Sequence, residues 1–155
     1  MDIKNAELGD LDKILELQKI CYQENAIRYN DDNIQPLTQT LGDLEKEFNE
    51  QLFLKIEIDS KIIGSVRAFS KNNICYIGKL IVHPEHQNMG HGTKLMKEIE
   101  RRFDKVQKYE LFTGFRDDKN IYLYKKLGYK IFKENIINDN LKLVFMEKDN
   151  SPGMP

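Results

Sequence analysis

From Leu80 to Leu95 the chain reads Leu80-Ile81-Val82-His83-Pro84-Glu85-His86-Gln87-Asn88-Met89-Gly90-His91-Gly92-Thr93-Lys94-Leu95. An apolar strand stops at a proline, a short polar loop follows, and Gly90 and Gly92 open a stretch with helical periodicity. These residue types at this spacing point to anion binding. The first turn of a helix has N–H groups without intrahelical acceptors, and the helix dipole puts about half a positive charge there. Glycine lets a bulky group approach that backbone closely. The expected ligand is a phosphate or pyrophosphate. Two other glycine-loop chemistries fail on spacing. A dinucleotide fold needs a third glycine where Leu95 stands, and a Walker A loop needs Gly-Lys-Ser/Thr where the chain has Gly90-His91-Gly92. His83, His86 and His91 follow no metal-ligand pattern, so no metal is expected.

Whole-chain properties narrow the class further. The 155 residues suit one domain with a sizeable core, and 40% hydrophobic with 32% charged residues describes a soluble globule. With 24 basic against 25 acidic residues the net charge is -1, which gives no footing for a wrapped nucleic acid. No apolar run is long enough to span a membrane, and the N-terminus lacks a signal core. Cys21 and Cys75 each sit in an apolar pattern without a metal or redox motif, which fits buried free thiols and a cytoplasmic location.

The elements that must position the glycine loop follow from periodicity. Ile3 to Leu8 predicts a short strand. Asp10 is an N-cap candidate for a helix carrying Leu11, Ile14, Leu15, Cys21 and Tyr22, expected to end near Glu24. Residues 25–39 keep no period and predict a packed loop, with Ile27, Tyr29, Ile34 and Leu37 as its anchors. Thr40-Leu41-Gly42-Asp43 opens a second helix. Residues 52–82 predict a three-stranded meander: Leu52, Leu54, Ile56 and Ile58 alternate with Phe53, Lys55 and Glu57, Asp59-Ser60 and Lys71-Asn72-Asn73 mark the turns, and Gly64 is a candidate bulge. A third helix begins at the glycine loop and buries Leu95, Met96, Ile99 and Phe103. Tyr109 to Thr113 is the next strand. A fourth helix starts at Asp117 or Asp118 and stops at Gly128. Tyr129 to Ile137 and Leu141 to Met146 make a closing hairpin.

The spacing Gln87-x-x-Gly90-x-Gly92, after a strand ending in His83-Pro84 and before an apolar helix, resembles the acyl-CoA motif Q/R-x-x-G-x-G/A of the GNAT superfamily of N-acetyltransferases. A second local match supports it. Asn120-Ile121-Tyr122-Leu123-Tyr124-Lys125-Lys126-Leu127-Gly128-Tyr129 is similar to the family's fourth helix, where Tyr-x-x-x-Gly-Phe/Tyr recurs. The element order β-α-α-β-β-β-α-β-α-β-β agrees from Ile3 to Met146. The resemblance implies one α/β (α+β mixed) domain over residues 1–148 with a tail at 149–155. Its centre would be a twisted mixed sheet of about seven strands flanked by about four helices.

The resemblance also implies an activity: transfer of the acetyl group of acetyl-CoA to a primary amine by direct attack in a ternary complex. Carried over, Leu80, Ile81 and Val82 lend backbone groups to the pantetheine, with the Val82 N–H as donor to the oxyanion. Gln87, Asn88, Met89, Gly90, His91, Gly92 and Thr93 hold the pyrophosphate. Asn120 contacts the cofactor arm, standing in for an asparagine that many relatives have where this chain has Asp117. Tyr124 is the candidate acid for the departing thiolate and also borders the cofactor. Many relatives place a glutamate base on the strand before the loop; here that strand reads Tyr76-Ile77-Gly78-Lys79, and the base stays unassigned. Tyr22, Glu24, Tyr29 and Asp31 are the candidate acceptor contacts, their acids favouring a small cationic amine. Polyamine, amino acid, antibiotic and protein N-terminus all stay open. A homodimer fits the family. The alternative is a non-catalytic acyl-CoA-binding module.

Overall fold

The computed structural model describes residues 2–150. β1 (Ile3–Asn5) pairs antiparallel with β2 (Leu52–Ile58), β2 with β3 (Lys61–Lys71), and β3 with β4 (Ile74–Val82). β4 then lies parallel to β5 (Lys108–Gly114), the one parallel pairing in the sheet. β6 (Lys130–Ile136) and β7 (Lys142–Asp149) form the closing hairpin, but β7 inserts next to β5 and leaves β6 at the edge. The order is β1-β2-β3-β4-β5-β7-β6. Two bulges bend the centre. One shifts register between Ile56 and Glu57, opposite Ile62 and Gly64, as the glycine predicts. The other lies on β4, where Lys79 takes a left-handed φ of 52° and three steps from Gly78 to Ile81 oppose two from Ser65 to Arg67.

Pairing between β4 and β5 is short. It joins Ile74 to Lys108, Cys75 to Tyr109 and Tyr76 to Glu110, and then the two strands part. β5 stays bonded to β7 along its whole length, and β4 to β3 up to Val82. The sheet therefore opens as a V toward the end of β4 that precedes the glycine loop.

Five helices cover the sheet: α1 (Leu11–Tyr29), the single turn α2 (Gln35–Thr38), α3 (Leu41–Glu50), α4 (His91–Arg102) and α5 (Asp118–Lys126). Alternation on β2 sorts the core into two faces. Leu54 and Ile56 pack with Leu95, Met96 and Ile99 of α4. Phe53 packs on the other side with Leu11 and Ile14 of α1 and Leu44 of α3. Thr40 and Asp43 form the reciprocal capping box that their spacing predicts, Thr40 Oγ1 accepting from the Asp43 N–H at 3.2 Å and Asp43 Oδ2 from the Thr40 N–H at 2.9 Å.

The expectations for the end of α1, the loop after it and the role of Asp10 need correction. α1 does not stop near Glu24 but continues to Tyr29, ending on Asn30 at a left-handed φ of 49°. Ala26 and Tyr29 prolong the buried face begun by Leu11, Ile14 and Leu17; Ile27, 81% exposed, is the apolar residue on the wrong side that hides the period. The stretch read as one loop is therefore mostly helix, with Pro36 opening α2, and the helix count is five. Asp10 does not cap α1 with its side chain. Its carboxylate accepts from the Glu7 N–H at 2.8 Å, closing a 3₁₀ turn over Leu8–Asp10, and pairs with Lys55 at 2.7 Å. Asn150 is tied to the chain before β5, donating to the Val106 carbonyl at 2.8 Å; the remainder of the expected tail, residues 151–155, lies outside the described residues.

Candidate active site

The end of β4 presents backbone to the V. The His83 N–H donates to the Ile63 carbonyl at 2.8 Å, which makes that pair hydrogen-bonded and the neighbouring Val82–Gly64 pair non-bonded. By the same alternation Ile81 turns its amide and carbonyl toward β3, while Val82 turns both into the gap. The Val82 carbonyl is met there by Gln87 Nε2 at 3.1 Å and by the Cys21 thiol at 3.4 Å. Gln87 thus ties the glycine loop to the strand it leaves. The Val82 N–H is left facing the gap.

Gly90 is the N-cap of α4, at φ 84°, a conformation that favours glycine. The first intrahelical bond runs from the Lys94 N–H to the Gly90 carbonyl at 3.1 Å. Among the described residues, the N–H groups of Asn88, Met89, Gly90, His91, Gly92 and Thr93 donate to no protein acceptor. A Cβ at Gly90 would meet open space, so the cradle is both unpaired and accessible. Gly92 is small for a different reason: a Cβ there would lie 3.3 Å from a Leu123 methyl and 3.8 Å from one of Leu80, where α4, α5 and β4 converge. His91 is 4% exposed and its Nδ1 has no partner. Burial and Lys94 hold its pKa below the usual value, so it adds no positive charge to the cradle at neutral pH.

Two cavities meet at the V. The narrower, about 410 Å³, runs over the cradle between β4, α5 and the middle of α1. It takes in Leu80, Ile81, Val82, Gln87, Asn88, Gly90, His91, Gly92, Thr93 and Asn120 from the expected cofactor set. Met89 projects away, 60% exposed, and only its amide joins the cradle. The basic residues along this groove are Arg28, Lys119 and Lys126, whereas Lys94 and Lys125 face solvent. The wider cavity, about 730 Å³, lies inside the V between β4 and β5. Tyr22, Asn25, Leu80 and Asn120 border both.

Tyr124 lines the wider cavity next to that seam and is 5% exposed. Burial, with Tyr22 and Asp117 nearby, pushes its phenol well above the usual value, and Tyr22 is raised by the same burial. Both hydroxyls therefore keep their protons at neutral pH. Asn120 Nδ2 donates to Asp117 Oδ2 at 2.9 Å, and Thr113 Oγ1 donates to the same oxygen at 3.0 Å. Asp117 thereby fixes Asn120 so that its side-chain carbonyl stays available at the seam. Tyr29 lines the wider cavity but is 2% exposed, its hydroxyl accepting from the Arg116 N–H at 2.9 Å. Asp31 also borders that cavity. Glu24 borders the narrower one, 3.9 Å from Arg28, so the four expected acceptor contacts are divided between the two cavities.

Sequence reasoning missed Asn25, because α1 was expected to end before it, and Lys79, whose bulge no sequence period announces. Cys21, expected only as a core thiol, lines the narrower cavity against the Val82 carbonyl. Burial pushes both cysteine thiols up to about 12, so neither is a thiolate at neutral pH. Among the described residues no three His, Cys, Asp or Glu side chains group as a metal site, and no helix is long and apolar enough to cross a membrane.

A splayed sheet, unpaired helix-start amides beside it, and a second cavity opening onto the same seam are the parts of a transferase that uses a coenzyme A thioester. The profile of the acetyltransferase (GNAT) family matches residues 11–129. An acetyltransferase of Yersinia pestis (strain Pestoides F) is 25% identical over 137 residues, 84% of this chain and 88% of the relative. Among solved structures, smu.2055 from Streptococcus mutans UA159 superposes with a TM-score of 0.84 at 19% identity, covering 97% of this chain and all of that one. The yncA protein of Salmonella typhimurium, whose structure holds its cofactor acetyl-CoA, superposes at 0.73 with 20% identity over 100% of this chain and 96% of its own. The chain belongs to the acetyltransferase (GNAT) family, whose members transfer an acetyl group from acetyl-CoA.

Proposed function

We propose that the protein acetylates a primary amine, which attacks the thioester directly while both substrates are bound. The observation that carries this reading is the seam: a thioester lying in the narrower cavity would reach it beside Val82, and an amine in the wider one would reach it beside Tyr124. The nitrogen lone pair bonds to the acetyl carbon and the carbonyl oxygen becomes an oxyanion, toward which the Val82 N–H is the donor. The carbon–sulfur bond then breaks. The proton lost by nitrogen balances the one gained by sulfur to give the amide and free coenzyme A.

Tyr124 is the donor to the departing sulfur. An ordinary phenol near ~10 against a thiol near ~8.5 makes full proton transfer uphill by roughly 2 kcal/mol, and the raised pKa of Tyr124 makes it steeper. Its part is accordingly a hydrogen bond to the thiolate rather than transfer of its own proton. The protonated state of Cys21 beside the Val82 carbonyl supports direct attack over an acyl-enzyme. A cationic acceptor is a second reading, supported by Asp31 on the wider cavity. The free thiols also support a cytoplasmic location.

Thiol release from acetyl-CoA with a panel of primary amines tests the assignment. Turnover with at least one amine is expected. Acetyl-CoA binding without thiol release for any amine would leave a non-catalytic acyl-CoA-binding module as the better description. We further propose a homodimer, supported by β6, an edge strand that leaves Ile131, Phe132 and Ile136 exposed. Sedimentation at the mass of a single chain across micromolar concentrations would rule it out.

A further inference from the structure

The wider cavity, which Asp31 also borders, contains a cation that no acid pairs among the described residues. Lys79 sits at the β4 bulge, half-buried, on the cavity wall, and among the described residues it forms no ion pair. The nearby carboxylate of Glu47 is already engaged: it accepts from Arg67 Nη1 at 2.8 Å and from Gln39 Nε2 at 2.9 Å. Arg67 Nη2 donates to Gln18 Oε1, and Gln18 Nε2 donates to Gln39 Oε1 at 2.8 Å. Four side chains from α1, α3, β3 and the segment after α2 thus close a ring that holds Glu47 Oε2, and Glu47 forms no ion pair with Lys79. Glu110, also on the cavity, is held by Lys108 at 3.0 Å.

An ammonium removed from water without a counter-ion is unfavourable, and a ligand carboxylate is what relieves it. Burial and the neighbouring Arg67 lower the Lys79 pKa to about 8, against the opposing pull of Glu47. Part of the remaining wall is aromatic. On the β3–β4 arm Phe69 stacks on Tyr76 with centroids 5.3 Å apart, and on the β5–β7 arm Phe112 lies 5.4 Å from its register partner Phe145.

We propose that the acetyl acceptor is an amine that also carries a carboxylate, which Lys79 binds, on an apolar body that rests between the Phe69–Tyr76 and Phe112–Phe145 walls. The inference rests on the reading of this cavity as the acceptor's side of the site. Lys79 is then a specificity-determining residue: it attracts the carboxylate and, with Arg67 behind it, repels a second ammonium, which disfavours polyamines.

Calorimetric titration of the coenzyme A-saturated protein with 3-phenylpropionate and with 3-phenylpropionamide tests the charge preference without requiring turnover. The carboxylate is expected to bind about tenfold more tightly than the amide. Lys79→Met should abolish that difference while Lys79→Arg keeps most of it, with coenzyme A affinity unchanged as the check on folding; Lys79→Gln serves if the Met variant fails that check. Equal binding of the two probes by the wild type, or a preference that survives in Lys79→Met, overturns the inference. Thiol release with phenylalanine and with phenethylamine separates the two levels of the argument. Equal turnover of both by the wild type sinks the carboxylate preference and leaves amine acetylation standing. A Lys79-dependent probe preference without any thiol release upholds the anion site and sinks the acetylation reading.

Discussion

On the proposed reading, Tyr124 would serve the reaction better by keeping its proton than by giving it up. Because burial raises its phenol, a hydrogen bond to sulfur is stronger for being donated in a dry site, and removal of that one oxygen should act on the chemical step alone. For Tyr124→Phe, kcat is expected to fall by about 10²-fold while the dissociation constant for acetyl-CoA, read by titration, stays put; unchanged kcat would dismiss the role. Lys79 gives a pH signature. Its ammonium form binds the carboxylate probe, so affinity should be full below about 8 and decline as pH rises past it. Arg67 stays charged over that range, and the raised phenols of Tyr22 and Tyr124 stay neutral, so neither competes. A flat profile from pH 7 to 10 would mean that Lys79 does not hold the probe. At this scale the sequence was legible where backbone does the work. Gln87, Gly90 and Gly92 reveal the cradle because amides need only glycine and a helix start. Lys79 was illegible because its importance comes from Glu47 being taken by Arg67, a partner 20 residues away in the chain.

Among the elements, α1 carries the most that the sequence concealed. The misplaced helix end at Glu24 hid Asn25 from the seam and treated Tyr29 as a loop residue, when it is the last residue of a helix pinned to the far side of the V. The pin is a close fit. Gly114, the last residue of β5, packs so tightly against Tyr29 that a Cβ would overlap the ring, and the same ring holds the Arg116 N–H. Gly114→Ala is therefore expected to cost about 1–3 kcal/mol of stability, measured by urea unfolding. A variant as stable as the wild type would show that α1 can slide away from β5 without loss. The strands were easier to read: β2 alternates in sequence, turn residues mark off β3 and β4, and the capping box at Thr40 and Asp43 starts α3 where its spacing says. What alternation cannot register is a strand's partner, so the insertion of β7 between β5 and β6 had to come from the resemblance or from the structure.

Taken whole, the molecule is a sheet divided at its candidate active site. Residues before and after the parting were individually legible as strands, but three β4–β5 register pairs followed by separation is a fact of tertiary packing that no local pattern encodes. The separation leaves the Val82 amide, and the start of α4 leaves the cradle amides, without protein acceptors among the described residues, and acetyl-CoA is the group that would supply them. At a ligand concentration of about 100 times Kd, binding to the native state alone should add about 2.7 kcal/mol to stability. Hydrogen exchange should slow most at Leu80–Val82 and at Asn88–Thr93 when coenzyme A is added; uniform slowing across the sheet, or none at these amides, would contradict this account.

The short β4–β5 contact has a mechanical consequence as well. The sheet is two half-sheets clasped at one corner, and on the proposed reading the cosubstrate would act as a temporary strand that completes the weave. Product coenzyme A would leave by undoing that weave, so strengthening the clasp near Tyr76 and Glu110 would slow release rather than chemistry.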